Sequence, residues 1–340
     1  MTDTKSLVAG LLMGSMLLTA QAQAAEVNVY SARHYDSDVE LFQRFTEETG
    51  IEVRVLEGDS DQLVERIRRE GIASPADVLI TVDAGRLWRA DEAGILGAVD
   101  SEILNTRIPA NLRHPDGHWF GFSQRLRVIF YSKERFDPSR IERYEDLASP
   151  GFEGQLCIRS SNNIYNQSLL AGLIETVGED AAREWAEGVV ANLARPPQGG
   201  DTDQIRGVAA GECDIAVGNH YYHVRLEQST DPADQAVADA VGIIFPNQGD
   251  RGVHVNIGGA ALVETAPNRE NAIRLLEYLA SDTAQNIFSG GNFEYPAVAS
   301  VPGSAAVGQL DNLVLDQTNV AVLGTNNPRA VRLFDQAGWR

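Results

Sequence analysis

Cysteine is nearly absent: Cys157 and Cys213 are the only two in 340 residues. Two thiolates alone make a poor metal site, so any metal chemistry has to come from other side chains. Basic residues are also short, with 28 Lys and Arg against 48 Asp and Glu and a formal charge of −20. Such a surface argues against nucleic acid or anionic membrane as a partner, and reads as solubility or a salty habitat rather than an acidic docking face. Beyond residue 18 no apolar run is long enough to cross a bilayer, which predicts no stable membrane insertion. The sequence also lacks internal repeats and low-complexity tracts.

What is present begins with a leader. Lys5 precedes an apolar run from Leu7 to Leu18, and Ala20-Gln21-Ala22-Gln23-Ala24 supplies two overlapping A-x-A sites, the better cutting after Ala24. A signal peptide over 1–24 and a soluble mature protein in an oxidising compartment, the periplasm, are expected. There, Cys157 and Cys213 have one way to pair. Their neighbours Leu156, Ile158 and Ile215 read as buried strands, so a structural disulfide is the first reading and two buried free thiols the second.

The mature chain exceeds what one hydrophobic core usually supports, which predicts two lobes. Val27-Asn28-Val29-Tyr30 reads as a strand, followed by a helix from about Asp36 with Val39, Phe42 and Phe45 on one face and Gly50 as its stop. A strand from Ile51 to Leu56, a helix capped at Asp59 or Ser60, and a strand at Asp77 to Ile80 follow. This alternation predicts an α/β sheet with helices on both faces and a ligand beyond the strands' carboxyl ends, where Arg33-His34-Tyr35 falls. Val128 to Tyr131 reads as the first crossing between lobes. A second alternating block covers strands at Leu156 to Ile158 and Ile215 to Gly218, with helices near Tyr165 to Glu175 and Ala181 to Leu193. Further strands are expected at Val253 to Ile257 and Ala260 to Val263, and a helix over Asn271 to Ala280.

Unusual chemistry concentrates at three element ends: His34-Tyr35, Tyr165, and His220-Tyr221-Tyr222-His223. Phenolate oxygen is a hard anionic donor that suits a small, highly charged cation better than zinc or copper(I). A strongly Lewis-acidic ion can displace the phenol proton at neutral pH, so capture should release protons. Four phenolates around a trivalent ion leave one excess negative charge, and a neutral imidazole adds a bond without changing that balance. Spacing alone is weak, because paired tyrosines near a helix start more often serve as core and rim.

At these residues the sequence resembles the ferric-ion-binding periplasmic proteins of ABC transporters, within the transferrin-like superfamily of bilobal solute-binding proteins. Val29-Tyr30-Ser31-Ala32-Arg33-His34-Tyr35, Ser74-Pro75-Ala76-Asp77-Val78, Arg125 to Tyr131, Asn219-His220-Tyr221-Tyr222-His223, Glu294-Tyr295-Pro296 and Gln336 to Arg340 carry the similarity. The resemblance implies a class II two-lobed periplasmic binding protein, each lobe a mixed, mainly parallel sheet flanked by helices, joined by two crossing strands. It implies an N-lobe of 25–124 and 250–295 and a C-lobe of 125–249 and 296–340. Thr81-Val82-Asp83-Ala84 does not present the glutamate ligand of some relatives, and Ser160 to Tyr165 replaces their small-residue anion loop. The pattern is similar to the tyrosine-rich subtype, in which His34, Tyr35, Tyr165, Tyr221 and Tyr222 hold Fe3+ without a synergistic anion. Arg127, with Arg125 competing for the same role, would lie beside the phenolates and lower their pKa. The resemblance further implies a monomeric carrier, not an enzyme, whose lobes close on ferric ion and present it to ABC permease subunits. The alternatives are a same-fold binder of an organic or oxyanion solute such as a polyamine or phosphonate, and a secreted non-haem iron enzyme.

Overall fold

In the computed structural model, residues 25–33, 35–308 and 310–340 are described; the expected leader and His34 lie outside them. Strand Glu26–Ser31 (β1) alternates inward apolar and outward polar residues, and Glu52–Glu57 (β2) and Val78–Val82 (β3) run parallel to it, with Val29 facing Val55 on one side and Val78 on the other. The crossovers are helices Asp36–Thr49 (α1) and Ser60–Glu70 (α2). Gly50, at φ 72°, ends α1 by returning its N–H to the Thr46 carbonyl, and the Asp59 carboxylate caps α2 by accepting from the N–H groups of Asp61 and Gln62. The buried stripe of α1 is Asp38, Leu41, Phe42 and Phe45. Val39, expected on that face, is 71% exposed, because it stands about 100° round the helix from Asp38.

The chain continues through Ala84–Glu92 (α3), Leu96–Gly97 (β4) and Glu102–Arg107 (α4) into the long strand Phe120–Ser132 (β5). The second block comprises Leu156–Cys157 (β6), Ile164–Val177 (α5), Glu179–Ala191 (α6), Asp201–Ala210 (α7), Ile215–Asn219 (β7), His220–Glu227 (α8), Pro232–Ala240 (α9) and Val241–Ile244 (β8). Val255–Val263 (β9), Arg269–Leu279 (α10), Asp282–Asn292 (α11), Tyr295–Pro296 (β10), Ala321–Thr325 (α12) and Asn327–Ala337 (α13) complete it. No helix among the described residues is long and apolar enough to cross a membrane.

The joint of the molecule is β5. Its first half, through Leu126, pairs antiparallel with β9; from Arg127 onward it pairs with β7 and β8. The resulting order β2-β1-β3-β9-β5-β7-β6 is mixed, with parallel pairs at the ends and antiparallel pairs around β5. The two strands expected at Val253 to Ile257 and Ala260 to Val263 are one strand. Gly258 and Gly259 resemble a turn in the sequence, yet they serve close packing: a Cβ on Gly259 would stand 2.7 Å from Leu87 Cδ1 and from the Phe120 carbonyl oxygen. One apolar cluster surrounds the first sheet, with Val29, Phe45, Leu79, Phe120 and Leu262, and continues into the second block through Phe130, Cys157, Ile205 and Ala216; Ala297, Val298 and Val301 join it after β10. A second gathers Ile129, Leu170, Trp185, Phe334 and Trp339. The Trp339 indole also donates to the Arg159 carbonyl at 3.0 Å.

Cys157 and Cys213 are disulfide-bonded across a separation of 56 residues, which ties β6 to the turn before β7. Replacing both with alanine should cost stability, with about 4 kcal/mol as the chain-entropy upper bound. The check is the urea midpoint, which should fall, with the unfolding slope rising because the chain without the cross-link exposes more surface when unfolded.

Candidate metal centre

Four tyrosines sit where strands give way to helices. Tyr35 is the residue before α1, in extended geometry. Tyr165 lies in the first turn of α5, whose cap residue Asn163 accepts the Asn166 N–H. Tyr221 and Tyr222 open α8 directly after β7. Helix starts carry unpaired N–H groups and a positive dipole end, so an oxyanion formed there is favoured.

Arg225, one turn further along α8, brings three of these rings to one place. Its guanidinium carbon is 4.7 Å from the Tyr35 ring centre, 5.0 Å from that of Tyr221 and 5.5 Å from that of Tyr222. The Tyr221 and Tyr222 rings stand 4.4 Å apart. Tyr221 is fully buried, and its hydroxyl accepts from Asn219 Nδ2 at 3.2 Å. Burial, then the charge of an ionised Tyr165, pushes the phenols of both Tyr221 and Tyr222 above their ordinary range. Arg127 links Tyr165 to the pair: it lies 5.9 Å from the Tyr165 ring centre and donates to Asn219 Oδ1 at 3.1 Å, and Asn219 in turn donates to the Tyr221 hydroxyl. All four tyrosines named from the sequence therefore converge.

Arginines lie against these rings. Arg33 is 4.7 Å from the Tyr35 ring centre and Arg125 is 5.4 Å from that of Tyr221. Arg127 and Arg159 are 5.9 and 5.7 Å from that of Tyr165. Most are matched by buried carboxylates. Arg33 pairs with Asp38 at 3.1 Å and Glu294 at 3.3 Å, and Arg125 pairs with Glu294 at 2.8 Å. Arg127 pairs with Asp201 at 2.8 Å and reaches Asn166 at 2.6 Å and Asn219 at 3.1 Å. Among the described residues Arg125 Nε and Nη1 have no hydrogen-bond partner and Arg225 forms no ion pair, so positive charge remains beside the phenols.

Other polar groups are committed to structure. His220 accepts the Leu126 N–H on Nδ1 and meets the Phe293 carbonyl through Nε2, and burial takes its pKa down to about 4. His223 is held by the Ala238 and Val241 carbonyls. Asp83, which stands where a glutamate ligand was sought, caps α3 and accepts from Ser168 at 2.7 Å and Asn256 at 2.8 Å. Sequence reasoning missed Arg225, Asp201 and the charge role of Glu294. For Arg225 the signal was its position three and four residues after the tyrosine pair, which puts it on the same helix face.

Two α/β halves sharing one long strand, with a polar crevice at the strand ends, define the class of bilobal solute-binding proteins. The chain belongs to the bacterial extracellular solute-binding protein family, whose pattern matches residues 73–326, and it is thus extracytoplasmic. It is 47% identical to iron uptake protein A1 of Synechocystis sp. (strain ATCC 27184 / PCC 6803 / Kazusa), over 97% of this chain and 95% of that one. Among solved structures, the Trichodesmium protein (IdiA, FutA) in complex with iron and citrate ligands shares 55% identity, covers 93% of this chain and all of its own, and has a TM-score of 0.90. The ferric binding protein from Campylobacter jejuni shares 40% over 92% of this chain and all of its own, with a TM-score of 0.86.

Glu294 is fully buried; burial alone would raise its pKa, but Arg125 and Arg33 outweigh it and hold it at about 2. Glu294→Gln strands the buried Arg125 and leaves Arg33 with Asp38 alone, and should cost about 3–5 kcal/mol. Because the folded value lies below the ordinary 4.5, the Glu294 contribution is complete above that pH and disappears as pH falls toward 2. Urea titrations should therefore show the gap between wild type and E294Q closing through that window.

Proposed function

We propose that this chain is a periplasmic carrier that captures ferric ion in the crevice between its lobes and delivers it to an ABC permease. Family membership makes it a binding protein, not an enzyme. The observation that carries the reading is the gathering of Tyr35, Tyr221 and Tyr222 round Arg225, with Tyr165 joined to Tyr221 through Arg127 and Asn219, from three distant stretches of chain to one arginine-lined place. Four phenolates offer a trivalent ion four hard oxygens and leave one excess negative charge, which the neighbouring Arg225 and Arg125 offset. The relatives named for iron, one of them in complex with iron, support the same cargo.

In this proposal the first lobe takes residues 25–124 and 250–295, extended to Val298 because the Ala297 and Val298 N–H groups donate to Gln285 on α11. The second takes 125–249 and the remainder of the chain. Tyr35 belongs to the first lobe; Tyr165, Tyr221 and Tyr222 belong to the second. Closure about β5 and β9 brings them together, and the closed monomer is the form a permease recognises. His34 adjoins Tyr35 and is proposed as a fifth, neutral donor.

Ferric citrate added to the purified mature protein should produce a visible phenolate-to-iron charge-transfer band. Tyr221→Phe with Tyr222→Phe should abolish the band and tight binding while far-UV circular dichroism stays unchanged; a wild type that stays colourless refutes the proposal. Because burial pushes the Tyr221 and Tyr222 phenols up and keeps them protonated before capture, iron must displace protons to bind them. Apparent affinity should rise with pH and fall on acidification. A pH-stat titration should count several protons released per iron, and Tyr165→Phe should lower that count.

A further inference from the structure

We propose that Asp91, His114 and His118 form a second cation site, apart from the tyrosine crevice, for a borderline divalent transition metal of the zinc class. One ligand atom from each lies within 4.8 Å of the others. Asp91 Oδ1 is 2.6 Å from His118 Nδ1, and Asp91 Oδ2 is 3.4 Å from His114 Nε2. The two imidazoles stack nearly parallel, 8° between planes and 4.7 Å between centres, so both rings turn to the same carboxylate.

The backbone holds these donors in place. Asp91 lies in the last turn of α3. His114 and His118 flank a tight turn closed by the His114 N–H on the Trp119 carbonyl at 2.9 Å and the Gly117 N–H on the His114 carbonyl at 3.1 Å. Gly117, at φ 75°, lets that turn press on the preceding segment, where a Cβ would stand 2.6 Å from the Val99 carbonyl oxygen. Trp119 is fully buried and meets the His114 ring edge-on at 5.6 Å. The three side chains are only 16 to 32% exposed, so their rotamers are restricted.

Two imidazoles and one carboxylate are the donor set of a zinc site with an open fourth position for water, and they suit zinc better than a hard trivalent ion. Donors about 2.0–2.1 Å from a tetrahedral ion stand about 3.4 Å apart. The His114 Nε2 to Asp91 Oδ2 separation already has that value, the His118 Nδ1 to Oδ1 contact must lengthen by less than about 1 Å, and the widest separation among the three donor atoms, which lie within 4.8 Å of one another, must close on the ion. Binding also moves the proton of each neutral ring to its outer nitrogen. For His114 this sacrifices the bond that Nδ1 accepts from the exposed Asp116 N–H at 3.1 Å, a turn contact that water can replace. An ion held here would fasten α3 to the turn before β5 and stabilise that part of the fold.

The test uses the metal-free mature protein carrying Tyr221→Phe and Tyr222→Phe, so that zinc at the crevice is removed as a source of signal. Calorimetric titration with zinc chloride should show one equivalent bound and a raised melting temperature. Adding His118→Ala, or separately Asp91→Asn, should weaken binding by at least about tenfold, the low end of what loss of a supporting group costs a metal site. In otherwise wild-type chains both substitutions should leave the ferric colour intact, which also reports folding. Cobalt(II) should give a tetrahedral visible band that His118→Ala removes. Absence of zinc binding, or binding equal in H118A and D91N to that in the parent, overturns the proposal.

Discussion

Two buried carboxylates, Glu294 and Asp201, anchor the arginines that lie against the tyrosines. Neither carboxylate nor guanidinium would be tolerable alone at this depth, and together they are held by hydrogen bonds from several elements. Glu294 accepts from Ser123 and Arg125 on β5 and from Arg33 ahead of α1, while Arg33 also grips Asp38 on α1. Asp201, at the start of α7, binds Arg127 on β5 and the Asn219 N–H at the end of β7. The loop bearing Tyr35 and the helix bearing Tyr221 and Tyr222 are thus attached to adjacent points of one strand.

That strand explains why the crevice lies where it does. Between Leu126 and Arg127, β5 exchanges β9 for β7 as its partner, so the two sheets diverge at the residues whose side chains meet the carboxylates. The strand ends of both sheets then open on a shared space lined by helix starts. Most polar groups on each side are already bonded, and among the described residues the unpartnered nitrogens of Arg125 and the unpaired Arg225 leave the space short of negative charge until phenols ionise. In the proposed function a hard cation supplies the force that ionises them. The carrier then needs little further rearrangement than the approach of the lobes.

Much of this was legible in the sequence, for physical reasons that differ by residue. Short apolar strands bounded by capped helices announced β1 to β3, and the Asp59 cap and Gly50 stop lay where the residue types demanded. Tyr35, Tyr165, Tyr221 and Tyr222 were found because each follows a recognisable strand, and their convergence was added by family resemblance rather than by spacing. Val39 was misplaced because Asp38, a charged residue, occupies the buried stripe through its pair with Arg33. The glycine pair split β9 into two expected strands, since only tertiary packing shows that Leu87 and Phe120 leave no room for side chains there. Arg225, Asp201 and Glu294 stayed unassigned because charge pairing between residues far apart in sequence leaves no local pattern.

The central claim is a statement about position: the iron sits among four phenolic oxygens. Crystals grown with ferric citrate, measured with X-rays on both sides of the iron absorption edge, test it most directly. The account expects one strong anomalous peak bonded to the hydroxyl oxygens of Tyr35, Tyr165, Tyr221 and Tyr222. A peak held by carboxylates elsewhere, or no peak from protein that has taken up iron, would contradict it.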